Sequence, residues 1–148
     1  MVPVESPARL RKLPSWLSAQ VAQRGARLVN EALGAAGVRR HHFAVLTALA
    51  EEGATSQAEL GRRLWIDRSD LHAVLNELED RGCVARIRDE RDRRRNLVEL
   101  TPAGAETLQD LDARVDAAQE ALLAPLTADE RGRLTALLTR LVEAERGA

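Results

Sequence analysis

The 148-residue sequence has little aromatic, lysine or cysteine content: Trp16, Phe43 and Trp65 are its only aromatic residues, and it has one lysine. The single cysteine, Cys83, excludes an intramolecular disulfide and a metal site built from several thiolates. A small buried residue is the preferred interpretation of Cys83, ahead of a redox switch. Since no apolar run reaches about 18 residues, no membrane span is expected. The first residues lack the apolar core of a signal peptide, so a cytoplasmic protein is predicted.

Recognisable catalytic motifs are also missing. The sequence has no phosphate-binding glycine loop and no HExxH motif. His41 and His42 are adjacent, and neighbours on a helix point about 100° apart, which disfavours chelation of one ion. We therefore expect no enzyme, no cofactor and no metal site. A metal sensor that uses this histidine pair stays open as an alternative.

Strong helix formers dominate the chain, which predicts one mainly α (α+β) domain over residues 1–148. A first long helix is predicted over 13–36 and a second from about Arg39 to Glu51. Thr101 and Pro102 open another long helix as N-cap and first residue. Thr127 and Glu130 form a capping box that begins the last helix.

The stretch from Ser56 to Gly82 predicts two short helices. Ser56 and Glu59 form a capping box, so a helix is expected over Gln57–Leu64. Asp67 is a good N-cap for the second helix, and Gly82 ends it as a C′ residue. The core-facing residues predicted for these helices are Ala58, Leu60, Leu64, Leu71, Val74, Leu75 and Leu78. The opposite face of the second helix is slim and polar, as insertion into a DNA major groove requires, although a merely solvated face fits too. Its residues are Arg68, Ser69, His72, Ala73 and Asn76.

Two alternating segments, Val84–Arg88 and Leu97–Thr101, predict the strands of a β-hairpin. From Arg86 to Arg95 the chain has six arginines and three acidic residues, so this segment is +3 in a chain of net charge −1. An arginine-rich hairpin beside a helix pair suggests contact with phosphates and a minor groove, and a solvated loop is the alternative.

The blocks Leu78–Gly82, Arg86, Asp92-Arg93-Arg94 and Leu100–Gly104, in this order and spacing, resemble the winged-helix core of the MarR family of bacterial transcriptional regulators. The resemblance covers nearly the whole chain. It implies a winged helix-turn-helix lobe at 39–101, with long dimerisation helices at 13–36 and 102–146. It also implies a sequence-specific, homodimeric DNA-binding protein that recognises a pseudo-palindromic operator.

This resemblance assigns roles to particular residues. Ser69, His72, Ala73 and Asn76 would face base edges, and Arg68 would contact a phosphate. The wing would contact the minor groove through its tip arginines, while Asp92 would brace the wing by orienting a neighbouring arginine. The tip arginines are Arg91, Arg93, Arg94 and Arg95.

The resemblance further implies a repressor that a small effector releases from DNA. An aromatic, anionic effector is predicted, because the residues that could line its crevice are Trp16, His41, His42, Trp65 and Arg68. Core packing is the alternative for both tryptophans. A winged-helix protein-interaction module without DNA binding remains the second alternative for the whole chain.

Overall fold

The computed structural model describes residues 6–92 and 95–146. Helices make up most of these ranges, which confirms the mainly α class and the winged-helix architecture expected from the sequence. A 3-10 turn at Leu10–Lys12 precedes the first helix. The helices are α1 Pro14–Gly34, α2 Arg40–Glu52, α3 Gln57–Leu64, α4 Arg68–Asp80, α5 Pro102–Leu123 and α6 Ala128–Arg146, and the strands are β1 Thr55–Ser56, β2 Val84–Arg88 and β3 Asn96–Leu100.

Two compact units divide the chain. Val29–Ala117 form one unit, which we call the winged-helix unit. Met1–Leu28 and Ala118–Ala148 form the other, which we call the terminal unit. The described part of the terminal unit comprises residues 6–28 and 118–146. None of the helices in the described ranges is both long and apolar enough to span a membrane.

Side chains from several helices and from the sheet form the core of the winged-helix unit. The apolar face predicted for α4 is buried as expected, because residues spaced i, i+3, i+4 and i+7 share one side of a helix. Ala58 is a wrong prediction: it is exposed, and Leu60 alone of α3 is fully buried. The largest fully buried apolar residues of the core are Leu33, Val45, Leu46, Leu60, Leu71, Val74, Leu75, Leu78, Val98 and Leu111.

The sheet has three strands in the order β1-β3-β2, all antiparallel, whereas the sequence predicts only the two strands of the hairpin. The missed strand, β1, pairs Thr55 with Val98 and Ser56 with Leu97. Two residues are too few to show an alternating pattern, so β1 has no signature in the sequence. Its pairing attaches the start of α3 to the middle strand, and so it joins the helix pair to the hairpin.

Local capping explains where most of the helices begin. Ser56 Oγ accepts from the Glu59 amide at 3.2 Å, but the Glu59 carboxylate pairs with Arg62 and Arg63 instead of returning to Ser56, so only half of that capping box is present. The second box is complete: Thr127 and Glu130 each accept a hydrogen bond from the other's backbone amide, at 3.3 and 2.9 Å.

Gly82 ends α4 with a φ of 73°, as the sequence predicts for a C′ residue. The Cys83 amide then donates to the Leu78 carbonyl at 2.9 Å, which satisfies one of the free carbonyls at the end of the helix.

A close approach between the first turn of α5 and the Cys83 backbone, directly before β2, explains a second glycine. A Cβ atom on Gly104 would lie 2.0 Å from the Cys83 carbonyl oxygen. That same oxygen accepts from the Thr101 amide at 3.0 Å, so the backbone there cannot easily move away. Only glycine fits at position 104 in this packing.

Candidate nucleic-acid interface

The polar face of α4 is exposed along its length. Every one of its five predicted residues is open to solvent, while the opposite face is buried in the core. Because one face of α4 is buried in the core, the polar face is the one that faces solvent. The exposed residues are Arg68, Ser69, His72, Ala73 and Asn76.

The first turn of α4 is held by Asp67, as the sequence predicts. Asp67 Oδ2 accepts from the Ser69 amide at 3.2 Å and from the Ser69 hydroxyl at 2.6 Å. The hydrogen bond from the Ser69 hydroxyl is the main cause that lowers the pKa of Asp67 below its ordinary value, and the hydrogen bond from the Ser69 amide acts in the same direction. Since the hydroxyl donates to Asp67, the Ser69 oxygen remains available as an acceptor in this arrangement.

Arg86 links the hairpin to α4, and this residue is absent from the contacts expected from the sequence. Its Nη2 donates to Asn76 Oδ1 at 3.1 Å, and its Nη1 lies 3.8 Å from Glu79 Oε1. Asn76 and Glu79 are three residues apart, so they lie on the same side of the helix. Alternation in the strand places Arg86 on one face of the hairpin, but the sequence does not show which element covers that face.

The hairpin tip between β2 and β3 is closed by backbone hydrogen bonds. The Asp89 amide donates to the Arg95 carbonyl and the Arg95 amide to the Asp92 carbonyl, both at 3.0 Å. Asp89 Oδ1 also accepts from the Arg91 amide at 2.9 Å. Arg91 is exposed at this tip. Arg93 and Arg94, which the sequence assigns to DNA contact, lie outside the described residues.

The sequence places Arg95 among the arginines of the hairpin tip, but in the structure its side chain contacts the N-cap of α3. Its Nη2 donates to Ser56 Oγ at 2.9 Å, across 39 residues of sequence. The Ser56 hydroxyl thus joins the base of the hairpin to the N-cap of α3. Any contact between Arg95 and a phosphate would lie beside the first turn of α3 and away from the extremity of the hairpin.

An open groove of about 1200 Å³ lies between the starts of α3 and α4 and the base of the hairpin. Free backbone amides at the first turn of a helix favour an anion. The groove also presents Arg68, Arg95 and His72. This surface suits a negatively charged, extended ligand such as a phosphate backbone. The residues that line it include Ser56, Gln57, Ala58, Asp67, Arg68, Ser69, His72, Arg95 and Asn96.

His42 is buried, with 1% of its surface exposed, and both of its ring nitrogens are engaged. Nδ1 accepts from the Arg39 amide at 2.9 Å and so caps α2; Nε2 therefore holds the proton and donates to Glu77 Oε2 at 2.8 Å. Burial lowers the pKa of His42 below its ordinary value, against the opposite effect of Glu77. These contacts favour a structural role and leave neither nitrogen of His42 for an effector or a metal ion.

The other residues expected at an effector crevice belong to different helices. Trp65 is 68% exposed and ends α3 with a φ of 55°, in the left-handed region. His41 is half-buried on α2, next to His42. Trp16 belongs to the terminal unit, where its buried Nε1 has no hydrogen-bond partner among the described residues. No group of three or more potential metal ligands occurs within 6–92 and 95–146.

Cys83 is 3% exposed, and its Sγ lies 3.7 Å from Thr107 Oγ1 and 4.0 Å from the Arg81 carbonyl oxygen. It packs in the core next to Val84. Its position agrees with the preferred interpretation of a small buried residue at the start of the hairpin.

A helix pair joined by a short turn, followed by a hairpin that contacts the second helix, defines a winged helix-turn-helix protein. The family model described as the MarR family matches residues 36–95. The multiple antibiotic resistance protein MarR of Salmonella typhimurium is 33% identical over 124 residues, covering 82% of this chain and 85% of that protein. The chain therefore belongs to the MarR family. Other curated regulators are longer, and the match spans 63–67% of the length of three of them.

Two solved structures are also similar. A cysteine-to-serine mutant of MarR from E. coli, complexed with operator DNA, has a TM-score of 0.76 and 30% identity, covering 92% of this chain and 99% of that one. The PcaV regulator from Streptomyces coelicolor in complex with its natural ligand has a TM-score of 0.73 and 31% identity, covering 92% and 96%. Transcriptional regulation is thus the activity of the family to which this chain belongs.

Proposed function

We propose that this protein is a sequence-specific, homodimeric transcriptional repressor that a small effector releases from its operator. The observation behind the proposal is the exposed polar face of α4, held at Asn76 by Arg86 of the hairpin. The similar E. coli MarR mutant has been solved in complex with operator DNA, which supports DNA binding by this chain.

In the proposed complex α4 enters the major groove. Ser69, His72, Ala73 and Asn76 approach base edges, which confer sequence preference, while Arg68 at the first turn contacts a phosphate and confers general affinity. The wing follows the backbone with Arg91 and Arg95. From the sequence alone, Arg93 and Arg94 reach the minor groove, and Asp92 braces them.

The homodimer is supported by apolar side chains left exposed on the terminal unit. Val21 is 49% exposed, Leu137 is 55% exposed and Leu141 is 69% exposed. Leu137 and Leu141 are one helical turn apart, as are Leu138 and Val142, so α6 has a continuous apolar stripe. Such patches on a soluble surface mark interaction sites, and a second copy of the same unit is the occupant we propose. Two copies would then place two α4 helices on successive half-sites of a pseudo-palindrome.

The effector is proposed to bind near Trp16. Its buried indole N–H lacks a partner among the described residues, so it can donate to a carboxylate or another acceptor on a planar ligand. The similar PcaV regulator has been solved in complex with its natural ligand, which supports effector binding in this family. Aromatic acids are suitable probes, followed by tryptophan fluorescence and by loss of DNA binding. A Trp16→Phe variant that binds such acids with unchanged affinity would place the effector elsewhere.

Binding to duplex DNA tests the main proposal. The DNA upstream of the protein's own gene is titrated at several salt concentrations, with a random duplex of equal length as the control. We expect tighter binding to the upstream DNA and a log–log salt slope of roughly −0.9 for each phosphate contacted. Absence of salt-dependent binding to both duplexes would favour the alternative of a protein-interaction module.

A further inference from the structure

The contact between Arg86 and Asn76 constrains which hydrogen-bonding groups the recognition face can offer. Asn76 Oδ1 accepts from Arg86 Nη2 at 3.1 Å, while Asn76 Nδ2 has no partner among the described residues. The side-chain amide is therefore fixed in one of its two orientations. Its donor nitrogen remains available to a ligand at the exposed face of α4.

Arg86 is itself held in place. Its Nη1 lies 3.8 Å from Glu79 Oε1, its side chain is 28% exposed, and the strand pairs it with Val98. The fully ionised guanidinium has donors and no acceptor. It thus places positive charge and N–H groups beside Asn76 Oδ1.

This arrangement disfavours the usual contact between asparagine and adenine. That contact uses the amide oxygen to accept from the adenine N6 amino group and the amide nitrogen to donate to N7. One lone pair of Oδ1 is already taken by Arg86, and the adjacent guanidinium would repel an amino group that approached the other. Guanine O6 and N7, or thymine O4, present acceptors to the donors that remain.

We propose that Arg86 is a positioning residue for DNA recognition: it orients the Asn76 amide so that the protein selects an acceptor edge, guanine or thymine, at the operator position facing Asn76. This inference rests on the proposed function, since it assumes that α4 lies in the major groove. To the proposed function this inference adds the kind of base edge that Asn76 selects. It also adds Arg86, a residue outside α4, as the residue that determines this selection.

Selection from a duplex pool with a randomised core of about two helical turns tests this inference. The position facing Asn76 is the one whose preference disappears in Asn76→Ala. Wild type should enrich guanine or thymine there. Arg86→Met should reduce discrimination against adenine at that position by about fivefold or more, with the other positions unchanged. Arg86→Lys, which keeps a donor for Oδ1, should restore much of the wild-type preference.

Arg88→Met is the matched control, because it removes the same charge from the same strand at an exposed position. It should weaken binding to all duplexes and leave the base preferences unchanged. Asn76→Asp is a second, independent variant: it keeps an acceptor for Arg86 and removes the donor, so the preference at that one position should be lost. Circular dichroism verifies that each variant is folded.

Three results would overturn the inference. In the first, wild type enriches adenine at the position facing Asn76. In the second, Arg86→Met retains the wild-type profile. In the third, Asn76→Asp retains the wild-type preference, which would show that the donor is not used. All three leave the proposed function intact, because wild type would still select a sequence; a wild-type protein that selects none would instead contradict the proposed function.

Discussion

The His42 side chain donates from Nε2 to Glu77 Oε2 at 2.8 Å and accepts at Nδ1 from the Arg39 amide at 2.9 Å. One buried imidazole thereby caps α2 and attaches it to α4. Glu77 also pairs with the Arg39 guanidinium at 2.9 Å, so the start of α2 has two links to the helix that we propose for DNA recognition.

This contact predicts how stability depends on pH. Because the pKa of His42 is lowered in the folded state, the unfolded chain binds the proton more tightly. Stability should be full above about pH 6.5, the ordinary pKa of histidine, and should fall as the pH drops below it. Arg39 and Arg81 disfavour the protonated form, and Glu77 favours it without outweighing burial. Urea unfolding from pH 8 to pH 5 measures this, and His42→Phe should flatten the slope over that window.

His42→Phe should also cost about 1–3 kcal/mol at neutral pH, because the Arg39 amide loses its acceptor in this part-buried hydrogen bond. His41→Phe is the matched control on the neighbouring, half-buried position. The structural role assigned to His42 is wrong if both variants unfold at the wild-type urea concentration and keep the wild-type pH slope.

Gly104→Ala should destabilise the winged-helix unit by about 1–3 kcal/mol, since the added methyl group would overlap the Cys83 carbonyl. Gly132→Ala is its control: position 132 is within α6, and a Cβ there meets no atom within 4 Å. That change should stabilise the protein by about 0.5–1 kcal/mol. Equal effects of the two substitutions on thermal unfolding would contradict the packing described for Gly104.

Dimerisation through the terminal unit is tested on α6. Leu137→Glu combined with Leu141→Glu should produce monomers in sedimentation and weaken DNA binding, because charge replaces the apolar stripe. Thr135→Glu, an exposed change on the same helix, should leave the dimer intact. Deleting residues 127–148 should act like the double variant; a truncated protein that still sediments as a dimer and binds DNA normally would disprove this interface.

Arg94→Ala tests the wing. The segment from Arg86 to Arg95 has six arginines and three acidic residues, so the acidic residues cannot pair with every arginine. Because an unpaired charge is costly to bury, some of the tip arginines must face solvent or DNA. We expect an intact fold and dimer, affinity for the selected duplex weaker by at least about tenfold, and a salt slope flatter by about one unit. Asp92→Ala should weaken binding less specifically, through a looser wing.

The charge-matched control for the wing is Arg133→Ala on exposed α6, which should change neither affinity nor slope. If Arg93→Ala and Arg94→Ala both bind like wild type at every salt concentration, the wing does not contact DNA in this protein.

The sequence determined the features that depend on neighbours within about one helical turn. Asp67, Gly82, Thr127 and Glu130 mark helix ends by bonding residues two or three positions away. The apolar spacing of α4 fixes its buried face. The sequence predicts the second hairpin strand over Leu97–Thr101, whereas β3 runs over Asn96–Leu100. It ends at Leu100 because the Thr101 hydroxyl accepts from the Gly104 amide and so caps α5.

Only the tertiary structure decided which distant side chains meet. Arg86 and Asn76 are ten residues apart, His42 and Glu77 thirty-five, and Ser56 and Arg95 thirty-nine. Periodicity shows that a side chain faces inward or outward, but the element that covers it depends on the path of the chain. For this reason the sequence left His42 open as a possible ligand, whereas in the structure it is buried and caps α2. In the same way Arg86 resembled one charge among many in the sequence, whereas in the structure it contacts Asn76 and Glu79 of α4. A hydrogen bond needs its partners within about 3 Å, a condition that only the folded chain can establish.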